Sequence, residues 1–362
     1  MILTTLRRVA PQLIILALVL LLNFAMFPGF FRVEMHNGRL FGNLIDVLNR
    51  GAPVALLSVG MTLVIATRGI DLSVGAVMAI AGAVAASVVT GGSDWVVAVL
   101  AALGAGALCG LWNGVLVAVL RIQPIVATLV LMVAGRGIAQ LLTHGAILTF
   151  NDPGLVRLGG GTILHVPTPI WIWIVLAVVV GLVVRRTALG LLIEATGINE
   201  RSARLAGINA RVLLIAVYLV TGLCAALAGI VVAGDIRGAD ANNAGLWMEL
   251  DAILAVVIGG NSLLGGRFSI TASLIGALII QSVNSAILLS GMPVEFNLVI
   301  KALIIIAILV IQSPRVNHAL YLLRASSGAF SPGASRGAST PRNTAPRSAA
   351  SRTDHTTEEG RP

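Results

Sequence analysis

Ten apolar runs occupy most of this sequence: Val9–Phe31, Val47–Thr67, Ile70–Thr90, Val96–Leu120, Pro124–Leu142, Pro169–Val184, Val212–Gly234, Leu250–Leu264, Phe268–Leu289 and Leu298–Gln312. About 20 apolar residues rising roughly 1.5 Å each cross a bilayer. Lipid offers no partner to a backbone N–H or C=O, so such runs must close their hydrogen bonds internally, as helices. The expectation is an all-α polytopic membrane protein with about ten transmembrane helices. The second and third runs, and the eighth and ninth, are joined so tightly that one member is expected to be broken or re-entrant. With 57% hydrophobic and 11% charged residues and a mean hydropathy of +0.98, no soluble fold could bury the apolar surface.

Charge sets the orientation. The first run follows Arg7 and Arg8 as a signal peptide would, but bulky Asn23–Phe27 offers no small-x-small cleavage site. It reads as a retained first helix of a bacterial inner-membrane protein. With that end inside, the cytoplasmic segments carry Arg7, Arg8, Arg68, Arg121, Arg185, Arg186, Arg201, Arg204, Arg211, Arg267, Arg315 and Arg324. The outer segments carry Arg32, Arg39, Arg50, Arg157 and Arg237. Twelve against five supports this topology, and an even helix count puts both termini in the cytoplasm. The net charge of +9 is thus an orientation signal and not a nucleic-acid footprint, since aromatic residues make up only 4%. Cys109 and Cys224 fall within apolar runs and read as packing residues.

Gly51–Gly82 and Asp251–Ile280 both run apolar, then a Gly/Arg-punctuated break, then a small-residue-rich helix. Units of four helices counted from the second and the seventh run would have opposite orientation, an inverted repeat of the kind transporters use. Beyond Arg324 the composition turns to Ser, Gly, Ala, Pro, Thr and Arg. Residues 325–362 are expected to be a disordered cytoplasmic tail, leaving 1–324 as the transmembrane domain.

Residue types exclude several enzymes. All five histidines (His36, His144, His165, His318 and His355) lie in loops or tail, and no Gly-x-Ser-Gly occurs. Lys301 is the only lysine and follows Ile300, which rules out a phosphate loop ending in Gly-Lys. No catalytic residue, metal site or cofactor is expected, and any ATP must be hydrolysed by another polypeptide.

Four polar regions remain. The basic loop 185–211 carries its own short helix: Asn199 can cap it, Ala203, Leu205 and Ala206 give an apolar face, and Gly207 can end it. Such a helix on the inner surface suits docking. Asp71, within Gly69–Gly75, is either a shallow N-terminal cap helped by Ser73 or a solute contact. Asn113 reads as a helix–helix hydrogen-bonding residue, and Lys301 and Arg136 either snorkel or pair with an acid such as Asp251 or Glu295. In Gly234–Asp251, Asn242 and Asn243 either stage a polyhydroxylated solute at the pore mouth or cap an outer loop. A proton-coupled secondary transporter using Asp71, Glu249, Asp251 and Lys301 is the competing reading.

These segments resemble the permease subunits of bacterial ABC importers for monosaccharides, the ribose type. The motifs are GIDLSVGAVMAIAG (Gly69–Gly82), GLWNGVLVAVLRIQPIVATL (Gly110–Leu129), IEATGINERSARLAGI (Ile193–Ile208) and ELDAILAVVIGGNSLLGG (Glu249–Gly266). Val47–Ala66 and the Asp235–Ile253 region look most like galactofuranose-type members. The resemblance covers about Arg39 to Gln312 and implies a type II ABC importer permease fold. It also implies a second permease copy or paralogue, a separate ABC ATPase and a periplasmic sugar-binding protein as partners, in membrane lipid. It places Glu194, Ala195, Gly197, Ala203 and Gly207 on a coupling helix seated in the ATPase. Asp71, Ser73, Asn113, Asn242 and Asn243 are the translocation-pathway candidates.

Overall fold

The computed structural model describes residues 2–36, 38–291, 293, 296, 298–303 and 306, all within one compact unit of residues 1–308. Most of the tenth expected span and the expected tail lie outside the described residues. The chain opens with α1 (Ile2–Met26), then a hairpin of β1 (Glu34–His36) and β2 (Arg39–Phe41). α2 (Asn43–Arg50) and α3 (Ala52–Ala66) meet at Gly51 with a 43° bend. α4 (Val74–Thr90), α5 (Trp95–Ala118) and α6 (Pro124–Leu142) follow. β3 (Leu148–Thr149), α7 (Pro153–Gly160), β4 (Thr162–Ile163) and β5 (Val166–Pro167) lead to α8 (Thr168–Arg186). Two short helices come next, α9 (Leu189–Ile198) and α10 (Glu200–Leu205), then the long α11 (Ala210–Ile236). β6 (Gly238–Ala239), paired with β3, precedes α12 (Met248–Ile258) and α13 (Ile270–Leu289).

Among the described residues six helices are long and apolar enough to cross a membrane, or seven if the bent α2–α3 pair is one span. One member of each tight join is short. α4 has 17 residues, and α12 only 11, roughly half a bilayer's thickness at 1.5 Å per residue.

All fifteen residues of α3 are buried, walled in by α8, α11, α12 and α13. Small residues make the close approaches. On α5, Gly106, Gly110 and Gly114 lay its backbone against Gly222, Tyr218–Leu219 and Ile215 of α11, where any Cβ would collide. Chain directions can be read from such contacts. Gly60 meets Thr221 and Gly69 meets Tyr218, so α3 and α11, which head the second- and seventh-run units, run oppositely. The two look-alike segments behave differently. Their breaks, 67–73 and 259–269, lie side by side: Gly266 N donates to Ala66 O at 2.9 Å, and Thr62 Oγ1 to Ser273 Oγ at 2.7 Å. α3 and α12 therefore run in the same sense, and the likeness between Gly51–Gly82 and Asp251–Ile280 is a parallel one. The end bearing these breaks, α9 and α10 is termed the basic end; the hairpin β1–β2 marks the opposite end.

Candidate functional site

The basic connection folds as two helices and not one. The expected cap and stop of the second are both present. Asn199 Oδ1 accepts from Ser202 N at 3.0 Å. Gly207, at φ +87°, closes α10 with bonds from Ile208 N to Ala203 O and from Gly207 N to Arg204 O, both 3.0 Å. Glu194, Ala195 and Gly197 thus lie on α9, whereas Ala203 is on α10 and Gly207 just past it. Glu194 and Ala195 are half-buried, Gly207 is exposed, and Gly197 and Ala203 turn inward. A Cβ on Gly197 would stand 1.8 Å from Ala66 O and 2.8 Å from Gly266 N, so only glycine lets α9 seat on the end of α3.

The expected apolar face of α10 needs correction. Ala203 is buried, but Ala206 is exposed and Leu205 is 86% exposed. Six residues make fewer than two turns, so only one side chain fits on the inner side. Ile198 and Leu264, 59% and 79% exposed, share this end. Arg121 and Arg204 both pair with Glu200 at the surface, interactions worth under about 1 kcal/mol each.

At the α3–α4 break the structure joins three candidates into one network. Asp71 Oδ1 accepts from Ser73 N at 2.9 Å and from Ser73 Oγ at 2.6 Å, while Asn113 Nδ2 of α5 donates to Ser73 Oγ at 2.8 Å. All three are buried. This is a turn closed across the Asp-x-Ser spacing and fastened to α5. It lies just ahead of α4, whose N-cap residue Ser73 makes no side-chain cap bond, so the expected shallow helix cap at Asp71 is not what forms. Asn113 Oδ1 and the hydroxyl of buried Tyr218, which faces Gly69, have no hydrogen-bond partner among the described residues. Tyr218 was not anticipated; a lone tyrosine within an aliphatic run was the available signal.

Asn242 and Asn243 lie elsewhere, and their segment is not a superficial outer loop. After α11 the chain folds back between α4 and α6. Gly245, at φ +72°, presses its carbonyl so close to Gly75 that a Cβ there would be 2.3 Å away. Arg136 of α6 donates to Ala241 O (3.0 Å) and Ala244 O (2.6 Å), satisfying irregular backbone at depth. This descent replaces the missing first half of α12. Gln140 Nε2 donates to Asn242 Oδ1 at 2.8 Å, and Asn242 Nδ2 to Gly145 O at 3.3 Å. Asp240 accepts from Asn242 N, Asn243 N and Asn243 Nδ2 at 2.8–3.1 Å, and the Asn243 amide holds its carboxyl below the usual carboxylate range. Both asparagines keep exposed side chains. At the head of α12, Glu249 is buried against Gly75. Asp251 accepts from Lys301 Nζ at 2.7 Å, one of the alternatives open for the single lysine. No group of three or more His, Cys, Asp or Glu side chains able to hold a metal occurs among the described residues.

Six or seven apolar helices packed in one bundle define a polytopic membrane protein among the described residues. The chain belongs to the family described as branched-chain amino acid transport system / permease component, whose model matches residues 43–309. It is 60% identical over 305 residues to the galactofuranose transporter permease protein YtfT of Escherichia coli K12, covering 84% of this chain and 89% of that one. The fructose import permease protein FruF of Bifidobacterium longum is 40% identical over 288 residues, 78% of this chain and 81% of its own. The ribose import permease protein RbsC of E. coli K12 is 40% identical over 307 residues, 84% and 92% of the two chains. No solved structure matches the chain.

Proposed function

We propose that this protein is the pore-forming subunit of an ATP-driven importer for a monosaccharide of the galactofuranose type. The observation that carries the coupling half of this reading is the capped α9–α10 projection, which buries Gly197 and Ala203 against the bundle and holds Leu205 out in solvent. An exposed leucine on a short helix locked at both ends is an anchor awaiting a groove. Its partner is a separate ABC ATPase, and Glu194, Ala195, Gly197, Ala203 and Gly207 set the shape of the coupling element. The sugar is inferred from the 60% identity to a galactofuranose permease over most of both chains.

In this reading the assembly holds two permeases, either copies or paralogues, with a periplasmic sugar-binding protein at the hairpin end. It sits in the bacterial inner membrane with both termini in the cytoplasm. The pore takes the type II importer form, about ten helices with an inverted repeat, which the opposed directions of α3 and α11 support. ATP binding draws the two coupling elements together, and the break at Asp71 moves with them. The pathway passes the buried Asp71–Ser73–Asn113 network and opens beside Asn242 and Asn243, whose exposed amides suit a polyhydroxylated solute.

Reconstitution tests this. In proteoliposomes the chain alone should neither hydrolyse ATP nor accumulate galactose, whose solutions contain the furanose form. Co-expressed ATPase and binding protein should confer both activities. Accumulation by the isolated chain, driven by a proton gradient and abolished by Asp71→Asn, would establish the secondary-transporter reading instead.

A further inference from the structure

Arg68 occupies the α3–α4 break in a left-handed conformation, φ 64°, that a side chain with a Cβ rarely adopts. Its side chain reaches two separate segments. Nη2 donates to Ile198 O at 2.7 Å, and Nε to Leu264 O at 2.8 Å. Ile198 ends α9, where the last carbonyls have no partner within the helix and carry its negative pole, so a guanidinium is matched there in both hydrogen bonding and charge. Leu264 belongs to the α12–α13 break. Backbone contacts tighten the same knot. Gly266 N bonds Ala66 O, Gly197 abuts that same carbonyl, and a Cβ on Gly265 would lie 2.4 Å from Arg68 Cγ.

Two pieces of chain far from Arg68 in sequence therefore converge on its side chain, three residues from Asp71. The planar fork of arginine can serve both carbonyls at once; an ammonium has no such geometry. The guanidinium is exposed, so its two bonds add little to the stability of the bundle. What they do fix is the relative position of the α9 end and the two breaks.

We infer that Arg68 is the positioning residue that carries displacement of the α9–α10 projection into the α3–α4 break and its Asp71–Ser73–Asn113 network. This rests on the ATP-coupled reading above. Arg68 touches neither solute nor nucleotide in this role. It acts by making α9, the α12–α13 break and the head of α4 move as one piece.

The test uses the full complex of permease, ATPase and sugar-binding protein in proteoliposomes, measuring galactose uptake and ATP hydrolysis in the same preparation. Arg68→Met keeps the aliphatic stem and removes both donations. It should leave membrane insertion and ATPase association intact while galactose moved per ATP falls roughly tenfold, within the usual span of site-to-site coupling. Arg68→Lys, which can reach one carbonyl, should recover part of that ratio. A residue of merely structural importance would lower uptake and hydrolysis together and leave their ratio unchanged. An unchanged ratio in Arg68→Met overturns the inference, as does loss of insertion or of ATPase association, which would make Arg68 a folding or docking residue. A ratio as low in Arg68→Lys as in Arg68→Met also overturns it, because graded donation is what the geometry requires. Unmodified complex runs alongside: if it concentrates galactose without its ATPase, the ATP-coupled reading fails by itself, whatever the variants do.

Discussion

The basic stretch 185–211 and the acidic, Asn-rich stretch 234–251 look alike in one respect: each is a polar island between apolar runs. They fold in opposite ways. The first projects from the bundle as α9 and α10, with Leu205 in solvent. The second turns back into the bundle, where Arg136, Gln140 and Gly75 receive it and its own Asp240 caps it. Polarity alone therefore does not distinguish a projecting element from backbone that turns back into the bundle. The distinction lies in where the polar groups find partners. In 185–211 the caps are local and leave an apolar side chain outside; in 234–251 the local cap is joined by Arg136, Gln140 and Gly145 from elsewhere in the bundle.

Substitutions can break this contrast. The largest effect is expected at the seat of the projection. Gly197→Val places branched carbon where Ala66 O stands and should cost about 3 kcal/mol of local stability, the upper range for overpacking. Uptake should disappear and trypsin should cut faster at Arg201 and Arg204; unaltered cleavage would mean α9 does not seat on α3. Next comes Leu205→Asp. Removing an exposed anchor should weaken ATPase association by about 2 kcal/mol, roughly thirtyfold, with no change in the melting temperature of the isolated permease. A loss of stability instead would place Leu205 inside the fold.

The fold-back should answer more quietly. Asn242→Ala removes its bonds to Gln140 and Gly145, and should lower thermal stability by about 1 kcal/mol while leaving ATPase affinity untouched. An affinity change comparable to that of Leu205→Asp would erase the difference between the two regions. The smallest effect concerns acid. Because the Asp240 carboxyl is held below its ordinary value, its contribution is complete above the unfolded-state value and fades only as pH drops through the depressed one. Proteolysis of the 237–247 connection should therefore stay flat from about pH 8 to about pH 5. Acceleration near pH 5 would show that Asp240 does not hold the turn.

Much of this was legible in the sequence because it is local. Pro124–Leu142 is one helix with the bounds its apolar run implies, Asn199 and Gly207 delimit α10 as their chemistry dictates, and Asp71 and Ser73 bond across a two-residue spacing. For Lys301 the sequence left snorkelling, Asp251 and Glu295 open, and the fold selects Asp251. What sequence did not reveal depends on distant neighbours. Leu205 has the same helical preference inward or outward, and only the shortness of α10 sends it out. Arg68 counted as one more orienting arginine, because nothing nearby in the chain announces the carbonyls of Ile198 and Leu264. The fold-back of 237–247 was likewise hidden, as its partners sit on α4 and α6.

The enclosure of α3 has a mechanical corollary. A rod with no face toward lipid has no free direction in which to slide, so it cannot open or shut the pore as an isolated piston. Any stroke that moves it must drag its whole jacket of neighbouring helices, so transport by this subunit should proceed as the tilting of a solid block.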